Sequence, residues 1–84
     1  MQSGVRVLRV LRKRRGWTQT ELGELVGLHQ GEVSLAENGR PVRNLALIAI
    51  HLGVNDPDDL LLDVLSPEGQ RVLESVDKFE AAVA

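Results

Sequence analysis

The chain has 84 residues, of which 43% are hydrophobic and 26% charged, a composition that is ordinary for one globular domain with at most one extra element. Its lack of cysteine excludes disulfides, thiolate zinc sites and a cysteine nucleophile. Charge is divided unevenly: residues 1–44 carry eight basic and four acidic side chains, a net of +4, whereas residues 45–84 carry two and eight, a net of −6. Such asymmetry is typical either of a surface that faces a polyanion or of two ordinary solvated faces.

The composition and the sequence argue against several classes of protein. Aromatic residues make up only 2% of the chain, which argues against modules that stack single-stranded bases. The longest apolar run, residues 45–50, is too short to span a bilayer, and the N-terminus lacks the apolar segment of a secretory signal. The sequence has no cluster of metal ligands, no phosphate loop and no paired nucleophile and base. We therefore expect a cytoplasmic protein that is not an enzyme and that uses no cofactor or metal.

Hydrophobic periodicity is helical along the whole chain and predicts an all-α fold. The first helix is expected at about residues 3–15, with an apolar face, and Gly16 ends it. Trp17 is expected to pack into the core at the bend that follows. The buried residues predicted for the first helix are Val7, Leu8 and Leu11.

Two short helices follow, at about residues 19–26 and 30–38. Thr18 and Glu21 form a capping box before the first of them, and His29 precedes the second as its N-cap. The residues predicted to be buried on these helices are Leu22, Leu25, Val26, Val33 and Ala36.

The acidic half is expected to contain three more helices, at about residues 42–52, 57–65 and 67–83. Asp56 caps the second of these, and Pro57 occupies its first position. The buried residues predicted for helix four are Leu45, Ile48, Ala49 and Leu52. We place the domain boundary at the Ser66–Pro67 turn, which gives a domain over residues 1–65 and a separate C-terminal helix over residues 66–84.

The C-terminal helix has an apolar seam at the spacing of a coiled coil. This seam can pair with a second copy of the chain or fold back onto helix five, and the sequence leaves both arrangements open. The residues assigned to the seam, and to dimerisation if it pairs, are Val72, Val76, Phe79 and Val83.

Helices two and three have the properties of a unit that holds its second helix in the major groove of DNA. Gly23 supplies the small residue needed where the two helices cross. Gly27 supplies the left-handed backbone angle needed in the turn. Apolar residues fill the buried positions on both helices and in the turn: Leu22, Val26, Leu28, Val33 and Ala36.

Residues 16–62 resemble the phage-repressor-like (Xre/Cro) helix-turn-helix family. The resemblance is carried by LRKRRGWTQTELGELVGL, QGEVSLAENG and LGVNDPDDLL, and with helix one it covers about two thirds of the chain. It implies a compact five-helix domain, here followed by a C-terminal helix. It also implies binding to double-stranded DNA, usually as a homodimer on an inverted repeat, and regulation of transcription.

The same resemblance implies roles for individual residues. Gln19 is expected to contact a phosphate, and Gln30 is expected to read a base, since a glutamine amide can pair with adenine N6 and N7. Arg12 and Glu37 resemble the family's internal ion pair between helices one and three. The candidate DNA-contacting residues are Thr18, Gln19, His29, Gln30, Gly31, Ser34, Leu35, Asn38, Arg40 and Arg43.

Four features depart from the family pattern. Gly31 stands where a longer polar side chain normally reads a base. Leu35 is apolar at a usually polar position, where it suits either a thymine methyl group or a protein contact. Glu32 brings a negative charge near the phosphates. The link at residues 40–43 is short, which leaves the phosphate roles of its two arginines less defined.

The leading interpretation is a transcriptional repressor that acts as a homodimer with helix 30–38 in the major groove. The alternative is a protein-interaction module, or the antitoxin of a toxin–antitoxin pair, whose acidic C-terminal half binds a protein partner such as a toxin. Salt-dependent affinity for duplex DNA distinguishes the two interpretations.

Overall fold

The computed structural model describes residues 4–83, with side chains as far as residue 80. Within this range the chain forms α-helices and one 3-10 helix, and its only β-type pairing is an isolated antiparallel bridge between Arg6 and Asp63. The all-α prediction is confirmed. In chain order the elements are α1 (Val7–Arg14), α2 (Gln19–Val26), α3 (Gln30–Glu37), α4 (Leu45–Leu52), the 3-10 helix (Pro57–Leu61) and α5 (Pro67–Val83).

One apolar core joins all six elements. The buried residues predicted for α1, α3 and α4 all lie in it, and Leu60 of the 3-10 helix is completely buried. One prediction was wrong: Leu25 is 48% exposed, because Leu22 and Val26 define the buried side of α2 and Leu25 lies at its edge. The largest fully buried side chains are Val7, Leu8, Leu22, Val33, Ile48, Leu52 and Leu60.

The turn between α2 and α3 depends on two glycines. Gly27 has a φ of +74°, in the left-handed region that glycine adopts without strain. At Gly23 a Cβ atom would lie 2.5 Å from the carbonyl oxygen of Leu28, so only glycine fits where the chain turns back. Before α2, the Thr18 side chain accepts from the Glu21 N–H while the Glu21 carboxylate accepts from the Thr18 N–H. Both glycine predictions and the capping box are confirmed.

Helix α1 begins later than predicted, and the fifth helix ends earlier. Val7 N–H donates to the Leu62 carbonyl at 3.0 Å, and Val64 N–H donates to the Val5 carbonyl at 3.0 Å. This backbone pairing needs extended chain on both sides, so α1 starts at Val7 and not at residue 3, which itself lies outside the described residues. For the same reason the fifth helix is a 3-10 turn that stops at Leu61 and not at residue 65.

Helix α4 begins at Leu45 and not at Val42, because Asn44 interrupts the helical backbone. Asn44 has a φ of +61°, a left-handed conformation that asparagine tolerates better than most residues. Its side-chain amide donates to the Val26 carbonyl at 2.8 Å. This hydrogen bond satisfies a carbonyl group at the C-terminal end of α2 and fixes the short link before α4. Val42, although outside the helix, still packs against the core.

Helix α5 folds back onto its own chain, against α1 and the 3-10 helix. Leu73 and Val76 are buried in the common core, and Val72 is partly buried beside them. Arg14 Nη1 lies 2.5 Å from Asp77 Oδ1, a surface ion pair that also joins α1 to α5. Of the seam residues, Phe79 remains 63% exposed, and the Val83 side chain lies outside the described part.

Candidate nucleic-acid interface

The outer face of α3 carries half of the predicted DNA-contacting residues. Val33, Ala36 and Glu37 turn one side of this helix into the protein. At 3.6 residues per turn, the side directly opposite carries Gly31, Leu35 and Asn38, and all three are exposed. Gln30 is also exposed, at the edge nearest to α2, and Ser34 is half-buried. The helix therefore presents a mixed polar and apolar face to solvent.

A buried ion pair ties this helix to α1. Arg12 Nε donates to Glu37 Oε2 at 2.5 Å, and Arg12 Nη2 donates to Glu37 Oε1 at 3.3 Å. The two side chains are 9% and 6% exposed. Arg12 Nη1 also donates to the Trp17 carbonyl at 2.6 Å, so the guanidinium is hydrogen-bonded along its length. The structure thus brings together the two residues that the sequence assigned to an internal pair.

Gln19 connects this ion pair to the outer face of α3. Gln19 Nε2 donates to Glu37 Oε1 at 3.1 Å, and Gln30 Nε2 donates to Gln19 Oε1 at 2.5 Å. A carboxylate that pairs with arginine only accepts hydrogen bonds, so the amide nitrogen of Gln19 must face Glu37. The oxygen of Gln19 must then face Gln30, which meets it with an N–H group. The buried carboxylate of Glu37 therefore fixes which atom donates and which accepts in both hydrogen bonds of this series.

This chain of hydrogen bonds leaves a defined pair of groups free on Gln30. Its Oε1 atom has no donor among the described residues, and the second hydrogen on Nε2 is also available. An acceptor next to a donor is the pattern that complements the N6 amino group and N7 of adenine in the major groove. The arrangement can therefore hold one amide in the orientation that this pairing requires.

Both helix N-termini carry their predicted polar residues at the surface. Thr18 is the N-cap of α2. The hydrogen bond from the Thr18 N–H lowers the pKa of the Glu21 carboxyl most, and the hydrogen bond with the Thr18 hydroxyl lowers it further. His29 is the N-cap of α3 and is exposed, and its N–H donates to Glu32 Oε1 at 3.1 Å. At both helix ends the N-cap N–H group is therefore already bound by a carboxylate of the chain itself.

Arg43, predicted to contact a phosphate, is paired with Glu32. Arg43 Nε donates to Glu32 Oε2 at 3.0 Å, and Arg43 Nη2 donates to Glu32 Oε1 at 3.2 Å. The hydrogen bonds from Arg43, and secondly from the His29 N–H, lower the pKa of the Glu32 carboxyl. The pair neutralises the carboxylate that the sequence places near the phosphates, and in doing so it occupies one of the two arginines of the link.

The C-terminal end of α3 holds the remaining candidates. Asn38 Nδ2 donates to the Ser34 carbonyl at 3.0 Å, and the Arg40 N–H donates to the Leu35 carbonyl at 3.1 Å. Both residues are exposed, and within residues 4–80 the Arg40 side chain forms no ion pair. Arg40 is therefore available to an external anion in a way that Arg43 is not.

Arg9 belongs to this surface although it is not among the residues predicted from the sequence to contact DNA. It is exposed and lines a polar depression between α1, α2 and α3 together with Gln19, Ser34 and Asn38. Its spacing of three residues from Arg12 places both on one face of α1, and this spacing was the available signal. The apolar α5 residues take no part in the depression, which is lined by Gly4, Arg9, Arg12, Gln19, Ser34, Glu37 and Asn38.

The described part of the chain has neither a metal site nor a membrane-spanning helix. It contains no group of three or more His, Cys, Asp or Glu residues that could hold a metal ion. No helix there is both long and apolar enough to cross a membrane.

The two short helices, the glycine turn and the exposed face of the second helix define a helix-turn-helix protein. A family model described as "Helix-turn-helix domain" matches residues 5–61, more than half of the chain. The chain belongs to this family, in agreement with its resemblance to the Xre/Cro group. No curated protein and no solved structure matches it.

Proposed function

We propose that the protein is a sequence-specific regulator of transcription, a repressor that binds double-stranded DNA with α3 in the major groove. The observation that carries this proposal is the hydrogen-bond chain from Glu37 through Gln19 to Gln30. It holds an acceptor and a donor at the exposed edge of α3, where a base edge would lie. Oriented polar groups of this kind are what direct readout of sequence needs.

Affinity is proposed to come from the basic half of the protein. Arg9, Lys13 and Arg40 are exposed and, within the described residues, form no ion pair. Phosphate contacts by such side chains release counterions and make binding depend steeply on salt. Arg43 contributes only when a phosphate displaces Glu32 from it. These contacts act on DNA of any sequence, whereas the face that includes Gln30 supplies the preference.

We further propose that residues 1–65 contact DNA and that residues 66–84 serve association, so that the protein acts as a homodimer in the cytoplasm. Support for association is the apolar surface between α4 and α5. Ile50 is 72% exposed and Phe79 is 63% exposed, and both line one depression. A twofold-symmetric pair would bind an inverted repeat.

The test is selection of tight binders from random duplex DNA, followed by fluorescence anisotropy titration at several salt concentrations. An enriched inverted repeat bound tightly near physiological salt is the expected result. Gln30→Ala should reduce the preference for the selected base at one position per half-site by about 1–3 kcal/mol. Arg40→Ala should weaken binding to all duplexes alike and reduce the salt dependence.

Two results would contradict the proposal. If no duplex is enriched and binding is weak at every salt concentration, the fold does not serve sequence-specific recognition. If Gln30→Ala leaves the base preference unchanged while folding normally, the reading face is assigned to the wrong residues.

A second candidate is a protein-interaction module, including the antitoxin of a toxin–antitoxin pair. The observation in its favour is the same exposed apolar pair, Ile50 and Phe79, set in the half of the chain with a net charge of −6. Sedimentation of the purified protein separates the candidates. A monomer that enriches no duplex favours this function, whereas a dimer that Phe79→Glu dissociates, with loss of inverted-repeat binding, favours the regulator.

A further inference from the structure

Nothing in the packing of this chain requires a glycine at position 31. A Cβ atom built at Gly31 meets nothing within 4 Å, and its φ lies outside the left-handed region that Gly27 occupies. Gly23 differs, since its Cβ would collide with the turn. Glycine weakens a helix relative to alanine, so at Gly31 it lowers helix stability without improving the packing of this chain. The open space is available to something outside the protein.

Leu35 lies one helical turn beyond Gly31 on the same face. Residues four apart are neighbours on a helix surface, and this pair points directly away from the buried side of α3. Leu35 is 43% exposed. The bare backbone at Gly31 and the side chain of Leu35 together form what we call the apolar notch, adjacent to the exposed amide of Gln30.

We propose that the apolar notch receives the C5-methyl group of a thymine, in a base pair adjacent to the one that Gln30 reads. This inference rests on the proposed function, since it places α3 in the major groove. The thymine methyl is the apolar group that base pairs display there, and the other displayed groups are hydrogen-bond donors or acceptors. Leucine offers no hydrogen bond, and the absence of a Cβ at Gly31 leaves room for a methyl group to approach the helix backbone.

The test uses the duplex obtained by selection, with each thymine replaced in turn by deoxyuridine, which lacks only the methyl group. We expect one thymine per half-site at which this change weakens binding about fourfold, the factor that corresponds to one buried methylene. Leu35→Ala should bind the thymine and uracil duplexes equally well. Gly31→Leu fills the notch from a Cβ position that is clear of the rest of the chain, so this variant should fold normally and lose the same discrimination.

The matched control is Leu25→Ala. Leu25 is 48% exposed, close to the exposure of Leu35, but it lines a depression with Glu21 and Glu24, whose carboxylates repel phosphates. This variant should keep the full discrimination between thymine and uracil.

The possible failures are distinguishable. A selected duplex that wild-type protein binds equally well with uracil at every position overturns the notch and leaves the proposed function intact. Discrimination that survives in Leu35→Ala and Gly31→Leu also overturns it, because the methyl must then contact other residues. If no duplex is selected at all, the proposed function fails, and this inference fails with it.

Discussion

Glu37 Oε2 lies 2.5 Å from Arg12 Nε, and neither side chain is more than 9% exposed. Because both charges are almost removed from water, each depends on the other for solvation. Arg12→Ala should therefore lower the free energy of unfolding by about 3–5 kcal/mol, as expected when one partner of a buried pair is removed. Replacing both residues by methionine should cost less than this single change. Urea denaturation of the three proteins is the measurement.

A control for this prediction lies on the same helix. Arg14 pairs with Asp77 at 2.5 Å, but these side chains are 41% and 56% exposed. Arg14→Ala should cost no more than about 1 kcal/mol, since solvent and salt screen an exposed pair. Equal losses for Arg12→Ala and Arg14→Ala would show that burial does not set the strength of the pair.

The second prediction concerns Gln19, whose hydrogen bonds orient the amide of Gln30. Gln19→Met keeps the length of the side chain and removes both hydrogen bonds. We expect the free energy of unfolding to fall by no more than about 0.5–1.5 kcal/mol for each hydrogen bond that is lost. We also expect a weaker preference at the base that Gln30→Ala affects, measured by anisotropy with single-base variants of the selected duplex.

The matched control for Gln19 is Thr20→Ala, a change at the exposed neighbouring position on α2. It should leave the base preference unchanged. A Gln19→Met protein that retains the full preference would mean that Gln30 orients itself without its neighbour.

The third prediction contrasts two glycines in the helix-turn-helix unit. Gly23→Ala places a Cβ 2.5 Å from the Leu28 carbonyl oxygen and should lower the free energy of unfolding by about 1–3 kcal/mol, as for other overpacked sites. The Cβ of Gly31→Ala meets no atom, and this variant should raise the free energy of unfolding by at most about 1 kcal/mol, the difference in helix propensity between glycine and alanine in a helix interior. Thermal and urea unfolding measure both changes, and a shift of the same sign in the two variants would contradict this account.

The fourth prediction concerns acid unfolding. The hydrogen bonds from Arg43 and the His29 N–H lower the pKa of Glu32 in the folded protein, below the ordinary value of about 4.3. Glu32 therefore contributes stability above that value, and this contribution is lost as the pH falls through the folded pKa. Glu32→Gln should be less stable than wild type at neutral pH, with the difference closing in acid.

Glu24→Gln is the control for this pH dependence. Glu24 is exposed on α2, and within the described residues it accepts no hydrogen bond. Its substitution removes a carboxylate without removing a hydrogen bond or an ion pair, so this variant should be as stable as wild type at neutral pH. Urea midpoints measured at a series of pH values test both variants, and parallel curves for wild type and Glu32→Gln would contradict the prediction.

Local signals in the sequence were sufficient for the first half of the fold. The capping box at Thr18 and the glycines at positions 23 and 27 each reflect a constraint between residues close in the chain. Such constraints can be recognised without knowing what the rest of the protein does. The family match over residues 5–61 agrees with the helix-turn-helix unit that these local signals predict.

The errors in the helix boundaries arose where distant segments decide the local structure. The sequence near Leu62 gives no sign that the extended backbone at Val5 will pair with it, and this pairing ends the 3-10 helix early. Similarly, a coiled-coil spacing in α5 does not reveal that Leu73 joins Val76 in the core of the same chain. The hydrogen bond from Gln30 to Gln19 was missed for the same reason, since it forms across the turn between two helices.

The backbone pairing between residues 5–7 and 62–64 also has a consequence for synthesis of the protein on the ribosome. The strand-like segment that precedes α1 finds its partner only after some fifty-five further residues have been made, as the separation of Val7 and Leu62 shows. Leu60, which is completely buried, also emerges late. A nascent chain that has made only α1 to α4 therefore leaves an apolar surface of α1 uncovered, so α1 completes its packing only after residues 60–64 have been made.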